Sequence, residues 1–163
     1  MVCIYYMDYS RIQAVLVVVQ GVGVLIRGRP GSGKSLAALN LMRRGHKLVS
    51  DDLVELTPGP GGEPWGRSVE DEARIEIRGL GIYKAKTLFP NATASSSAIN
   101  LVVDLDEYDS GADAGRIVPE TVATRLLGRD IITVRVPTPI GSDPALIIEL
   151  LAKRFRESGS VNP

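Results

Sequence analysis

Residues 28–35 read Gly-Arg-Pro-Gly-Ser-Gly-Lys-Ser, and their types and spacing suit the holding of phosphate oxygens. Gly28, Gly33, Lys34 and Ser35 satisfy G-x-x-x-x-G-K-[ST], with an apolar run before them and a helix-forming run after. Arg29, Pro30, Gly31 and Ser32 complete the loop. Glycines let backbone N–H groups turn inward and approach phosphate oxygens with no side chain in the way. A helix N-terminus behind the loop adds orphan N–H donors and a positive dipole end. Lys34 would neutralise the β- and γ-phosphates, and the Ser35 hydroxyl could ligate Mg²⁺. A turn that merely linked strand to helix would have no use for the Lys-Ser pair, so nucleotide binding is the first expectation.

A phosphate loop alone does not choose between GTPase, ATPase and kinase. The guanine-reading N-K-x-D is absent, as is any D-x-x-G, which argues against a small GTPase. The next chemistry-bearing residues are Ser50, Asp51 and Asp52. Carboxylates there could hold Mg²⁺ or take a proton from an attacking hydroxyl. Ser and Asp equally suit a helix cap or a turn, and the local sequence leaves both open.

The elements that must position these residues are readable in outline. Valine-rich runs at 14–19 and 22–27, separated by Gln20-Gly21, predict two strands and a tight turn ahead of the loop. Residues 34–44 predict a helix, with Leu36, Leu39, Ala38, Leu41 and Met42 at helical spacing and Gly45 as its stop. His46, the only histidine, is expected to serve the carbonyls at that helix end. Residues 47–49 form a short strand opening onto Ser50. The Gly- and Pro-dense stretch 57–66 reads as an irregular, mobile connection in which Trp65 is a contact residue. Alternation in 74–78 sets Glu76 and Arg78 on one strand face. Further strands are expected at 99–108 and 130–139, and a closing helix at 143–157 with Asp143 as N-cap and Pro144 in its first turn. The pattern predicts one α/β domain with a mixed sheet.

Composition bounds the function. Nineteen basic and nineteen acidic residues cancel, which excludes nucleic-acid binding by bulk charge. A single cysteine, Cys3, excludes an internal disulfide, and one histidine excludes a histidine-rich metal site. The apolar run 14–26 is too short to span a bilayer, so a cytoplasmic protein with neither membrane nor nucleic-acid partner is expected. Tyr5, Tyr6 and Tyr9 read as packing residues or cover for a strand edge.

Residues 21–56, followed by 75–90, resemble the catalytic domain of the HPr kinase/phosphorylase family. The carrying segments are R-G-H-x-L-V-x-D-D at 44–52 and E-I-R-G-L-G-I at 76–82, and the resemblance runs from about residue 11 to about 157. It implies the phosphoenolpyruvate carboxykinase-like P-loop fold. It also implies a single catalytic domain over 1–163, without the family's N-terminal domain. The implied activity is an ATP- and Mg²⁺-dependent transfer of phosphate to a serine of HPr, the phosphocarrier of the sugar phosphotransferase system. By the same resemblance Asp52 is the proton acceptor, with Asp51 beside it, and Glu76 joins Ser35 as a Mg²⁺ ligand. Arg78, Gly79 and Gly81 lie in the catalytic loop region 75–84, and Arg116 falls where the family has a catalytic arginine. The family is commonly hexameric, so a homo-oligomer is expected.

Two departures bear on chemistry. Gln13 stands where family members carry a catalytic histidine, and glutamine can hydrogen-bond a carboxylate but cannot exchange a proton at neutral pH. Pro139 and Ser142 stand where the family has two arginines tied to phosphoserine dephosphorylation. Kinase activity is therefore expected to persist and phosphorylase activity to be weak or lost. The rival expectations are a kinase of a small hydroxyl acceptor such as free serine, and a nucleotide-binding regulatory module without turnover. Pyrophosphate is an alternative donor, since the loop reads phosphates and not the base.

Overall fold

The computed structural model describes residues 11–162; Cys3 and Tyr5, Tyr6 and Tyr9 lie outside them. In chain order the elements are β1 (Arg11–Gln13), β2 (Val15–Val19), β3 (Val22–Gly28), α1 (Lys34–Arg43), β4 (Lys47–Ser50), β5 (Leu53–Pro58), β6 (Pro64–Ser68), β7 (Arg74–Ile77) and β8 (Gly81–Lys84). There follow α2 (Ala85–Leu88), β9 (Ser96–Ala98), β10 (Leu101–Glu107), α3 (Ser110–Asp113), β11 (Glu120–Leu126), β12 (Arg129–Thr138) and α4 (Pro144–Ser158).

Six strands form a mixed sheet in the order β11-β12-β10-β3-β2-β4. The three central strands, β12, β10 and β3, run parallel, and antiparallel strands flank them on both sides. Strands in the centre are buried on both faces, which is why β2, β3 and β10 read as near-continuous Val, Leu and Ile. One face carries Val24, Ile26, Val103 and Val134 against Ala38, Leu41 and Met42 of α1 and Ile148 and Ala152 of α4. The other carries Leu16, Leu25 and Val102 against Val54 and Leu56. Those last two belong to a second sheet, β1-β5-β6-β9, all antiparallel. A separate hairpin pairs β7 with β8. No helix among the described residues is long and apolar enough to cross a membrane.

The second sheet corrects the expectation for residues 57–66. Thr57 pairs with Trp65 and Pro58 with Pro64, so the stretch is a β5–β6 hairpin, not a mobile connection. The Gly and Pro residues crowd only its turn, where Gly59 N–H donates to the Glu63 carbonyl at 2.7 Å. Trp65 sits in β6, and its indole N–H donates to Glu63 Oε1 at 2.9 Å, folding the ring over that turn.

Both long helices start and stop as their sequences require. Asp143 caps α4, its Oδ1 accepting from the N–H groups of Ala145 at 3.1 Å and Leu146 at 3.3 Å. Helix α1 ends before Gly45. Just past that end the expectation for His46 needs correcting, because its partner is a carboxylate on another helix. His46 Nε2 lies 2.7 Å from Glu149 Oε1, while Arg44 ion-pairs with both Glu149 and Asp143. The two helices that clamp one face of the sheet are thus tied to each other at the end remote from the phosphate loop.

Burial pushes the Glu149 carboxyl up, but the hydrogen bonds from His46 and Arg44 outweigh that and hold it below the ordinary carboxylate range. A depressed carboxylate stabilises the fold above its unfolded-state value and loses that contribution as pH falls through the folded one. Glu149→Gln should lower thermal stability at pH 7 by about 1 kcal/mol, or ~2–4 °C in Tm. The gap to the unaltered protein should close in melts taken below about pH 4.

Candidate functional site

The loop 28–35 leaves the C-terminal end of β3 and enters α1, as the sequence requires. Gly28 is obligatory by space. A Cβ there would lie 2.5 Å from Ser32 Oγ and 2.7 Å from the Leu105 carbonyl oxygen. Gly33 is the N-cap of α1 with φ of 92°, a left-handed conformation that favours glycine. No side chain caps that helix, so its first-turn N–H groups face the loop. Ser32 Oγ is buried within the loop and has no hydrogen-bond partner. Lys34 folds back over the loop, its Nζ donating to the carbonyls of Gly28 at 2.8 Å and Arg29 at 3.1 Å. A cradle that only glycine can form, an orphaned buried hydroxyl and an ammonium held over both make a fit for phosphate oxygens.

Asp51 and Asp52 follow the end of β4 and diverge. Asp51 faces the loop, where Ser35 Oγ donates to its Oδ1 at 2.8 Å and the Glu76 backbone N–H donates to its Oδ2 at 3.1 Å. Burial pushes the Asp51 carboxyl above the ordinary range; these two hydrogen bonds offset part of the rise, and neighbouring Asp52 adds to it. Asp52 is exposed and points elsewhere. Its backbone sits at φ of 79°, a conformation that Asp tolerates better than most residues. That twist is secured where the Ala14 N–H donates to the Asp52 carbonyl at 2.9 Å. Gln13 Nε2 donates to Asp52 Oδ1 at 3.1 Å, so Gln13 touches this carboxylate.

The β7–β8 hairpin brings Arg78 to the loop. Its guanidinium lies 3.6 Å from the position a Cβ on Gly31 would take. Gly79 in the hairpin turn and Gly81 at the start of β8 both have positive φ. Glu76 contributes its backbone N–H to Asp51, and its own side chain is exposed. Arg116 lies apart from these contacts. It pairs with Glu120 at 3.2 Å and Asp113 at 3.8 Å, in a cluster centred on Arg135. Pro139 and Ser142 stand in the turn between β12 and α4, where the Ser142 N–H donates to the Pro139 carbonyl at 3.0 Å.

Ser35 Oγ and the Asp51 carboxylate offer hard oxygen donors 2.8 Å apart, the chemistry that Mg²⁺ selects. Among the described residues no group of three or more His, Cys, Asp or Glu gathers as a metal site. An ion held by this pair would complete its shell with phosphate oxygens and water, the usual habit of Mg²⁺. Sequence reasoning missed the cluster of Asp104, Asp106, Glu120 and Arg135 beside Gly28 and Arg29, which borders a cleft of about 280 Å³. Its members come from three strands and no local motif joins them.

Comparisons with known proteins place the chain in a family. HPr kinase/phosphorylases of Geobacillus sp. (strain WCH70) and Bacillus subtilis (strain 168) are each 40% identical over 149 residues, covering 90% of this chain and 48% of theirs. That of Listeria monocytogenes serotype 4a (strain HCC23) is 41% identical over 144 residues, covering 87% of this chain and 46% of its own. The chain thus spans about half the length of the curated relatives it matches. A solved HPr(Ser) kinase/phosphatase from Coxiella burnetii superposes with a TM-score of 0.80 at 27% identity, covering 91% of this chain and 92% of that one. The family described as HPr Serine kinase C-terminal domain matches residues 6–161, and with the loop, the Asp51–Asp52 pair and the fold all in place, this chain belongs to it.

Proposed function

We propose that this domain is an ATP- and Mg²⁺-dependent protein serine kinase whose acceptor is a serine of HPr. The observation that carries the reading is the division of labour between two consecutive carboxylates. Asp51 is turned into the phosphate loop, bound to Ser35. Asp52 is turned outward, exposed and oriented by Gln13. One faces the donor and the other faces the place from which an acceptor would come.

In this mechanism the loop N–H groups and Lys34 hold the β- and γ-phosphates. Ser35 and Asp51, with Glu76 from β7, are the residues that would hold Mg²⁺, which supplies charge neutralisation to the bridging phosphate oxygens. Asp52 accepts the proton of the serine hydroxyl as its oxygen attacks the γ-phosphorus. The bond from that phosphorus to the β–γ bridging oxygen breaks, and ADP leaves. Arg78 lies over Gly31, where a guanidinium can absorb charge on the phosphoryl group in flight. Gln13 fixes one oxygen of Asp52 and leaves the other for the acceptor, a positioning role that involves no proton exchange. Exposure of Asp52 favours a serine presented on a protein surface over a small hydroxyl compound, which would call for an enclosing pocket.

Incubating HPr with this protein, ATP and Mg²⁺ should add one phosphate to a serine, read as intact mass followed by peptide mapping. Asp52→Asn should slow that reaction by about 10²–10⁴-fold while nucleotide binding persists. Unmodified HPr in the presence of a nucleotide-binding protein would overturn the protein-kinase reading and move the search to small hydroxyl acceptors, then to a sensor without turnover.

The reverse chemistry, attack of inorganic phosphate on phosphoserine, requires a second phosphate to be held beside Asp52. Pro139 and Ser142 provide no guanidinium fork for it, and Gln13 cannot supply a proton. Serine-phosphorylated HPr given inorganic phosphate and Mg²⁺ should release pyrophosphate at least about a hundredfold more slowly than the forward reaction proceeds, measured by a coupled pyrophosphate assay.

A further inference from the structure

In the mechanism above Asp51 and Asp52 have parts and Ser50, the residue before them, has none. Ser50 closes β4 just past an irregularity in that strand. Val17 of β2 faces Leu48 and Leu16 faces Ser50, so Val49 is an extra residue on the β4 side. A bulge of this kind bends the strand and re-aims the side chains that follow. Ser50 is left only 1% exposed, at a place where alanine would fill nearly the same space. A hydroxyl buried there costs free energy unless it is hydrogen-bonded. Ser50 Oγ meets that requirement by donating to the Leu53 carbonyl at 2.6 Å.

That bond spans the turn on which Asp52 sits. The Leu53 N–H donates to the Asp51 carbonyl at 3.2 Å, making a three-residue turn with Asp52 at its centre. With φ of 79° at Asp52, the turn has the rarer and more strained of its two hands. An L-residue left to itself relaxes from there to negative φ. Two backbone bonds oppose the relaxation, the one across the turn and the one from the Ala14 N–H to the Asp52 carbonyl at 2.9 Å. The Ser50 hydroxyl makes the only side-chain bond to the backbone of this turn among the described residues, tying its last residue to the end of β4. Asp51 needs no such help, because its carboxylate is held by Ser35 and by the Glu76 N–H.

We propose that Ser50 is a positioning residue for the phosphoryl transfer, its buried hydroxyl locking the strained turn that aims the Asp52 carboxylate at the acceptor serine. The role rests on the reading of Asp52 as proton acceptor given above. At its depth Ser50 touches neither nucleotide nor acceptor, and it exchanges no proton. Its effect is on direction. A general base acts only within hydrogen-bond reach of the proton it takes, and a misplacement of about 1 Å can cost about a hundredfold in rate. Without the hydroxyl the turn visits negative φ and the Asp52 carboxylate swings off its line, while Asp51 and the phosphate loop stay as they are.

Two measurements on Ser50→Ala test this. The first is amide hydrogen exchange read by NMR, which needs no activity. The Ala14 amide reports its bond to the Asp52 carbonyl and should exchange about tenfold faster, with the amides of α1 unchanged. The second is steady-state phosphorylation of HPr with Mg·ATP. Here kcat should fall about tenfold, with KM for ATP held within about twofold. In an Asp52→Asn background the same substitution should change kcat by less than about twofold, since no proton acceptor is left to aim. An unchanged Ala14 amide or an unchanged kcat overturns the proposal. So does an equal loss of kcat in the Asp52→Asn background, or faster exchange throughout α1, because Ser50 would then act on the fold at large. If the unaltered protein leaves HPr unmodified while the Ala14 amide responds as expected, the kinase reading is what fails. The lock on the turn then stands, and its part in the transfer falls with that reading.

Discussion

The Asp51 carboxylate is the joint on which the site depends. One oxygen takes the Ser35 hydroxyl from the first turn of α1, the other takes the Glu76 N–H from β7, and its backbone continues β4. Three elements far apart in sequence are thereby referenced to one group. Burial disfavours its charge, and hydrogen bonds to both oxygens offset part of that penalty. A group in that condition responds strongly to an arriving cation, which is a reason to find it where a phosphate-bound metal would sit. Together with Ile75, fully buried in the core under α1, it anchors the β7–β8 hairpin where Arg78 overlies Gly31.

From that joint the chain must turn sharply for the next residue to face elsewhere. Asp52 does so with a positive φ, and the Ala14 N–H holds the resulting bend. Such a conformation costs a non-glycine residue about 1 kcal/mol or more. In return, two adjacent carboxylates face different ways, Asp51 into the loop and Asp52 towards Gln13. An extended strand would also have separated them, but onto the two faces of a sheet, not towards one loop and the solvent beside it. Gln13 is placed to meet Asp52 by the pairing of β1 with β5, in which Gln13 opposes Leu53.

What was legible in the sequence was whatever is local. The loop is a contiguous motif, the N-cap and first residue of α4 are adjacent, and the buried strands announce themselves by apolar runs. The second sheet was not legible. Strands β1 and β9 are three residues each, and the Pro and Gly of the β5–β6 turn masked the pairing of its arms. Strand β11 is exposed along most of its length, so burial imposes no alternation on Glu120–Leu126. His46 shows the same limit. Its place after a helix suggested carbonyl partners, whereas the tertiary contact with Glu149 lies 103 residues away. Roles for Asp51 and Asp52 came from resemblance; the residues alone left a cap or turn equally open, and only the geometry separates the two carboxylates.

Zero net charge coexists with a positive phosphate loop because the carboxylates are spent elsewhere. Arg27, Arg44 and Arg135 each face carboxylates at close range and serve as struts between strands or helices. Around the loop the pairing is loose or absent. Lys34 contacts only carbonyl oxygens, Arg29 meets Glu107 at 3.9 Å, and Arg78 forms no ion pair among the described residues. The nearest acids, Asp51 and Asp52, are turned towards a hydroxyl and an amide. A polyphosphate therefore meets three cations that need not be released from strong partners first, and desolvation of the loop is offset by charge the ligand brings.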